Sequence, residues 1–144
     1  STLLISACST AKKASVDTTD DVYTGTDTVE YLANGVPDRV FFATNKSSLT
    51  TRSRDTLRKQ ATYLRKNKDL TVTIEGHADE RGTREYNLAL GERRANAAKD
   101  YLMTYGVSGK RISVISYGKE KPVNPASSPL AWSQNRRSVT IKAN

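Results

Sequence analysis

Residues 70–75 read LTVTIE, an alternation that puts Val72 and Ile74 on one face of a strand and Thr71 and Thr73 on the other. The strand runs straight into EGHADERGTREYN (75–87), a charged stretch bracketed by Gly76 and Gly82, and then into an apolar repeat at helical spacing. A strand buried on one face needs a covering layer, and the helix that follows supplies it. The rest of the pattern is built round this unit. Val40-Phe41-Phe42 reads as a short buried strand. Thr50 or Thr51 caps a helix running to about Asn67, with Leu57, Ala61 and Leu64 at i, i+4 and i+7. A second helix is predicted over about 84–105, with Leu90, Ala97, Tyr101 and Tyr105 on its buried stripe and Gly106 ending it. RISVISYG (111–118) and RRSVTIKA (136–143) read as strands, the last with Val139 and Ile141 inward. Residues 119–135, which hold three of the four prolines, read as a loop. The predicted order is β-α-β-α-β-β, an α+β domain with two helices packed on one face of a mixed four-stranded sheet.

The 144 residues suit one such domain with a tail. The tail is N-terminal. Leu3-Leu4-Ile5 and the small residues before Cys8 read as the end of a secretory signal and its cleavage site, and Ile5-Ser6-Ala7-Cys8 resembles the lipobox of bacterial lipoproteins, which implies that residues 1–7 are a signal remnant and that Cys8, the only cysteine, carries lipid. Residues 9–35, rich in Ser, Thr and Asp, read as a mostly disordered tether, with the folded domain spanning 36–144. The net charge of +8 is concentrated in 52–68, where Arg52, Arg54, Arg58, Lys59, Arg65, Lys66 and Lys68 face one acid, Asp55. Such a face suits a polyanion, nucleic acid included, or is simply solvated. It lacks the interleaved aromatics of single-strand binders.

Three chemistries compete for the stretch 75–87. A metal site needs converging His, Cys or carboxylate ligands, and one histidine, His77, with no free cysteine partner does not provide them. Nucleophilic catalysis needs an activated nucleophile, and no GxSxG elbow is present. Acid-base work by Asp79 and Glu80 is disfavoured, because Arg81 and Arg84 would keep both carboxylates ionised. Charge-paired binding remains. Asp79, on the loop, and Arg94, inside the second helix, would face the two poles of a zwitterion if the loop folded back, the alternative being a plain Asp79–Arg94 salt bridge. On this reading both side chains sit at a pocket mouth and each can be replaced without unfolding the domain.

GHADERGTREYNLALGERRANAAKDYL (76–102), ISYGKEKPV (115–123) and WSQNRRSVTI (132–141) closely resemble the peptidoglycan-associated lipoproteins of Gram-negative bacteria, which carry the OmpA-like C-terminal domain. The resemblance covers about residues 37–142 and extends to the lipidation site at Cys8. It implies a protein that is not an enzyme, needs no metal or cofactor, and binds peptidoglycan noncovalently through the free end of meso-diaminopimelate in the stem peptide. Asp79 would take the ammonium and Arg94 the carboxylate, with Phe42, Ala43, Thr44 and Asn45 lining the pocket and His77 and Asn87 fixing the loop. It also implies an outer-membrane anchor with the domain facing the periplasm, a role in envelope integrity and cell division, and partnership with the Tol system, chiefly its periplasmic propeller protein, with no nucleic-acid partner. One departure stands out. Where the family often reads Phe-Asp-x-Asp, this chain has Ala43 and Asn45 in place of the two acids.

Overall fold

The structure is a computed structural model and describes residues 16–17 and 21–144. The expected signal remnant, Cys8 and the first part of the expected tether lie outside the described residues. The elements are β1 (Val16–Asp17), β2 (Val22–Tyr23), β3 (Tyr31–Ala33), β4 (Val36–Pro37), β5 (Arg39–Phe41), α1 (Thr51–Lys66), β6 (Val72–His77), α2 (Arg84–Thr104), a 3-10 turn (Gly109–Arg111), β7 (Ile112–Gly118), α3 (Pro129–Asn135) and β8 (Arg137–Lys142). The main sheet has the order β5-β8-β6-β7, with β6 and β7 parallel and the other neighbours antiparallel. The α+β class and the mixed four-stranded sheet are as the sequence predicts.

Each helix has a local reason to start and stop. Thr50 caps α1 by accepting from the Ser53 N–H, and Arg65 and Lys66 in the last turn oppose the helix dipole. Thr83 caps α2 in the same way, accepting from Tyr86 N–H. α2 ends in a Schellman motif: Gly106, at φ 93°, donates to the Met103 carbonyl and Val107 to that of Leu102. Leu57, Ala61 and Leu64 of α1 join Val40, Phe42, Val72, Ile74, Ala95, Ala98 and Leu102 in the core between helices and sheet.

α2 lies unusually close to β6. A Cβ added at Gly76 would stand 1.7 Å from the Gly91 carbonyl oxygen, and one added at Gly91 would stand 2.3 Å from Ser116 Oγ. Only glycine at both positions allows this backbone-on-backbone contact. Just beyond it, the β6–β7 register shifts between Gly76 and His77, and the chain turns into the loop that carries Asp79.

The structure corrects four expectations. The buried stripe of α2 is Asn87, Leu90, Gly91, Arg94, Ala95, Ala98 and Leu102, whereas Tyr105 is exposed and Ala97 half-buried. A buried arginine counted as polar moved the expected stripe to the neighbouring row. On β8 the helix-facing residues are Ser138 and Thr140, the latter paired with Ile74 and donating to Gln60 Oε1 at 2.8 Å. Val139 is buried against the opposite face, and Ile141 is 40% exposed. A polar pairing, not the apolar alternation, sets this parity. Residues 129–135, expected as loop, form α3, with Ser128 as cap and Pro129 at its first turn. Finally, residues 21–35 are not tether. Val22 and Tyr23 are buried, Tyr23 meeting Phe41 edge to face at 5.0 Å, and β3 pairs with β4. These apolar residues follow no helical or strand period, because their partner, the outer face of Phe41, lies far along the chain.

Candidate functional site

The loop after β6, the start of α2 and the turn after β5 enclose one pocket of about 240 Å³. Thr44, Asn45, Asp79 and Arg94 all line it, as do Arg81, Gly82, Tyr86, Asn87 and Leu90. The structure therefore brings the anion and the cation expected from sequence to one cavity. They do not pair with each other. Each is held by its own set of partners.

Arg94 is fully buried. Its Nε donates to the Lys46 carbonyl at 2.8 Å, Nη1 to that of His77 at 2.9 Å and Nη2 to that of Ala43 at 3.1 Å. A guanidinium has five N–H donors, so among the described residues two remain without a protein acceptor. The Phe42 ring lies 5.3 Å from the guanidinium carbon. Burial, reinforced by the like charge of Arg136, pulls the Arg94 pKa down to about 9, which leaves it charged at neutral pH. Phe42 is buried in the core and is not among the residues lining this pocket, and Ala43 meets Arg94 through its carbonyl.

Asp79 is 7% exposed. Its Oδ1 accepts from the Arg81 backbone N–H at 3.0 Å and from Arg81 Nε at 3.1 Å. Its Oδ2 accepts from Arg81 Nη2 at 2.7 Å and from Arg136 Nη1 at 3.2 Å. Burial works to raise the Asp79 carboxyl, but these hydrogen bonds outweigh it and hold the pKa below the usual carboxylate range. Asp79 is an anion at neutral pH.

Two arginines that the sequence reading gave no such role thus shape the site. Arg81, expected only to keep its neighbouring carboxylates ionised, grips Asp79 with both side chain and backbone. Arg136, 1% exposed, ties Asp79 to the Phe42 carbonyl at 2.8 Å and also donates to the Asp21 carbonyl. The signal for Arg136 was its parity: it shares a face with Ser138 and Thr140, so a strand at 137–142 aims it toward the helices. Asn45 sits at φ 60°, a left-handed conformation that Asn and Asp tolerate, and accepts from the Tyr86 hydroxyl at 3.3 Å.

Asn87 closes the loop by donating to the carbonyls of Arg81 at 2.8 Å and Thr83 at 3.0 Å. His77 is buried, stacks on Tyr117 at 5.6 Å, and meets Glu75 Oε1 through Nε2 at 3.1 Å. Burial and the cations Arg137, Arg39 and Lys121 press its pKa down to about 3. A histidine neutral in the fold and basic when unfolded takes up a proton only in the unfolded chain between pH 6.5 and 3, so stability falls as pH drops through that window. The full shift corresponds to an upper bound of about 5 kcal/mol. Denaturant titrations of wild type and His77→Gln between pH 7 and 4 are expected to show a steeper acid loss in the wild type, and parallel curves would show that His77 does not carry it. Among the described residues no group of His, Cys, Asp and Glu could hold a metal ion, and no helix is long and apolar enough to cross a membrane.

A mixed sheet in the order β5-β8-β6-β7, two long helices on one face and a charged pocket at the mouth of the β6–α2 loop define a domain of the OmpA-like class. The chain belongs to the OmpA family, whose model matches residues 41–136. It is 57% identical over 106 residues to a peptidoglycan-associated lipoprotein of Rhizobium meliloti, covering 74% of this chain and 60% of that protein. It is 53% identical over 106 residues to the Agrobacterium fabrum protein of the same name, again covering 74% and 60%. The match thus spans less than two thirds of these relatives' length. The crystal structure of the peptidoglycan-associated lipoprotein from Burkholderia pseudomallei superposes with a TM-score of 0.71 at 37% identity, covering 73% of this chain and 89% of that one. The C-terminal domain of Helicobacter pylori MotB, at 21% identity and a TM-score of 0.69, shares the fold.

Proposed function

We propose that this domain is a non-catalytic anchor that holds peptidoglycan noncovalently by the zwitterionic end of meso-diaminopimelate in the stem peptide. The observation that carries the reading is the pocket itself, a cavity of about 240 Å³ lined by an ionised Asp79 and by a charged Arg94 whose guanidinium keeps two N–H groups without an acceptor among the described residues. Arg94 takes the ligand carboxylate through those donors, and Asp79 takes the ammonium. The names of the peptidoglycan-associated relatives support the same ligand class. A stem peptide carrying lysine in place of diaminopimelate has the ammonium but not the carboxylate. Calorimetric titration is expected to show it binding about 10–100-fold more weakly, the scale of a hydrogen bond to a charged group. Equal affinity for the two peptides would refute the carboxylate role of Arg94.

The basic reading of the chain has one structural support: Arg65, Lys66, Lys68 and Arg111 line a groove where α1 ends, with no acid in its lining. Binding there would collapse with added salt, whereas a desolvated pocket pair would persist, so repeating the same titration across a salt series separates the two.

On the same proposal the domain is held at the outer membrane by lipid on Cys8, faces the periplasm, and works with the Tol components, chiefly the periplasmic propeller protein, in envelope integrity and division. The relatives named as lipoproteins support the anchor. The precursor expressed in a Gram-negative host is expected to incorporate radiolabelled palmitate, and Cys8→Ser is expected to lose the label. Label persisting in that variant would place the acyl chain elsewhere.

A further inference from the structure

We infer that Arg81 is a built-in counter-cation that occupies the ammonium position on Asp79 and must swing away before ligand binds. The inference rests on the zwitterion reading above. A carboxylate offers about four lone-pair positions, and those of Asp79 are all filled: two by the Arg81 side chain, one by the Arg81 backbone N–H and one by Arg136. A ligand ammonium therefore needs a position vacated. The Arg136 side chain is 1% exposed and bound to two backbone carbonyls besides, and the Arg81 N–H belongs to the loop's own turn. The Arg81 side chain is the one donor free to leave, being 41% exposed.

Its surroundings fit a group with two positions. The Arg81 guanidinium lies over the Trp132 ring, 4.1 Å from the centroid, and Trp132 is in turn fixed by donating to Glu80 Oε2 at 2.8 Å. The ring is a shelf along which the guanidinium can slide off Asp79 without losing its cation–π contact. Nη2 also donates to Thr44 Oγ1 at 3.2 Å, across the pocket mouth, so the resting side chain bridges the opening. Charge balance points the same way. With Arg81 in place, a bound ammonium would be a third cation on one carboxylate; with Arg81 displaced, it replaces one cation by another.

The test uses a tripeptide ending in meso-diaminopimelate with its amine and carboxylate free, titrated calorimetrically against wild type, Arg81→Ala and Arg81→Gln. Arg81→Ala is expected to bind about tenfold more tightly, the scale of one half-exposed bidentate pair, with Arg81→Gln between. In the wild type the Arg81 Nε–H resonance is expected to move on saturation with peptide. Wild-type binding with Arg81→Ala equal or weaker overturns the counter-cation and leaves the zwitterion reading standing, and so does an Arg81 Nε–H resonance unmoved at saturation. Absence of binding in both wild type and Arg81→Ala overturns both.

Discussion

Asp79→Asn is expected to lose at least thirtyfold in affinity for a diaminopimelate-ended peptide, about 2–5 kcal/mol, while remaining folded. Asparagine has the shape of aspartate and keeps one oxygen to accept from the Arg81 N–H, so the loop turn survives. Its amide nitrogen, however, presents hydrogens where the ligand ammonium needs an acceptor, and the ligand charge goes unpaired. The variant also leaves Arg136 buried with less counter-charge, and Asp21, whose Oδ2 lies 3.2 Å from Arg136 Nη2, compensates in part. A modest fall in melting temperature therefore accompanies the binding loss. Calorimetry read beside thermal melting separates the two effects. Undiminished binding by a folded Asp79→Asn protein would move the anionic pole of the site elsewhere.

Replacing Arg94 is expected to act on the fold before it acts on the ligand. Arg94→Met removes three hydrogen bonds that join the turn after β5, the end of β6 and the middle of α2. It strips the His77 and Lys46 carbonyls of their Arg94 donor, an unsatisfied buried group costing about 1–3 kcal/mol, while the Ala43 carbonyl keeps the Lys46 N–H at 3.1 Å, and some relief comes from no longer burying a charge. A net loss of about 3 kcal/mol is expected, visible in urea as a midpoint shift with unchanged slope. Arg94→Met as stable as wild type would show that this lattice is dispensable. The sequence reading treats Arg94 as a ligand group that can be trimmed without harm; the structure shows that it also bolts three backbone segments together. Arg94→Lys, which retains the charge, is the better probe of binding.

The parts of the molecule legible in sequence are those whose signals are local. Thr50, Leu57, Ala61 and Leu64 define α1 through a cap and a 3.6-residue period, and both are read from neighbours along the chain. Asp79 and Arg94 stand out because a short loop and one helix must carry them close together. What escaped depends on partners distant in sequence. Tyr23 is ordered by Phe41, the parity of β8 by Thr140 meeting Gln60 and Arg136 meeting Asp79, and Trp132 by Arg81 and Glu80. Apolar patterning also misleads wherever a charged group is buried. Arg94 in the stripe of α2 and Arg136 at the entry to β8 are internal, and a hydrophobic count assigns both to solvent.

The contact of Gly76 with Gly91 has a consequence for what the pocket can recognise. Asp79 follows the first glycine by three residues and Arg94 the second by three, so the span between the two poles works like a caliper whose pivot is bare main chain. Neither glycine has a side chain to be traded for a larger or smaller one, and the one that reaches them, Ser116, is tied to the Leu88 carbonyl at 2.7 Å. On the proposed function, substitutions in the surrounding loops, at Ala43 and Asn45 for example, retune how firmly a guest is gripped. They leave untouched the length of guest that fits between the jaws.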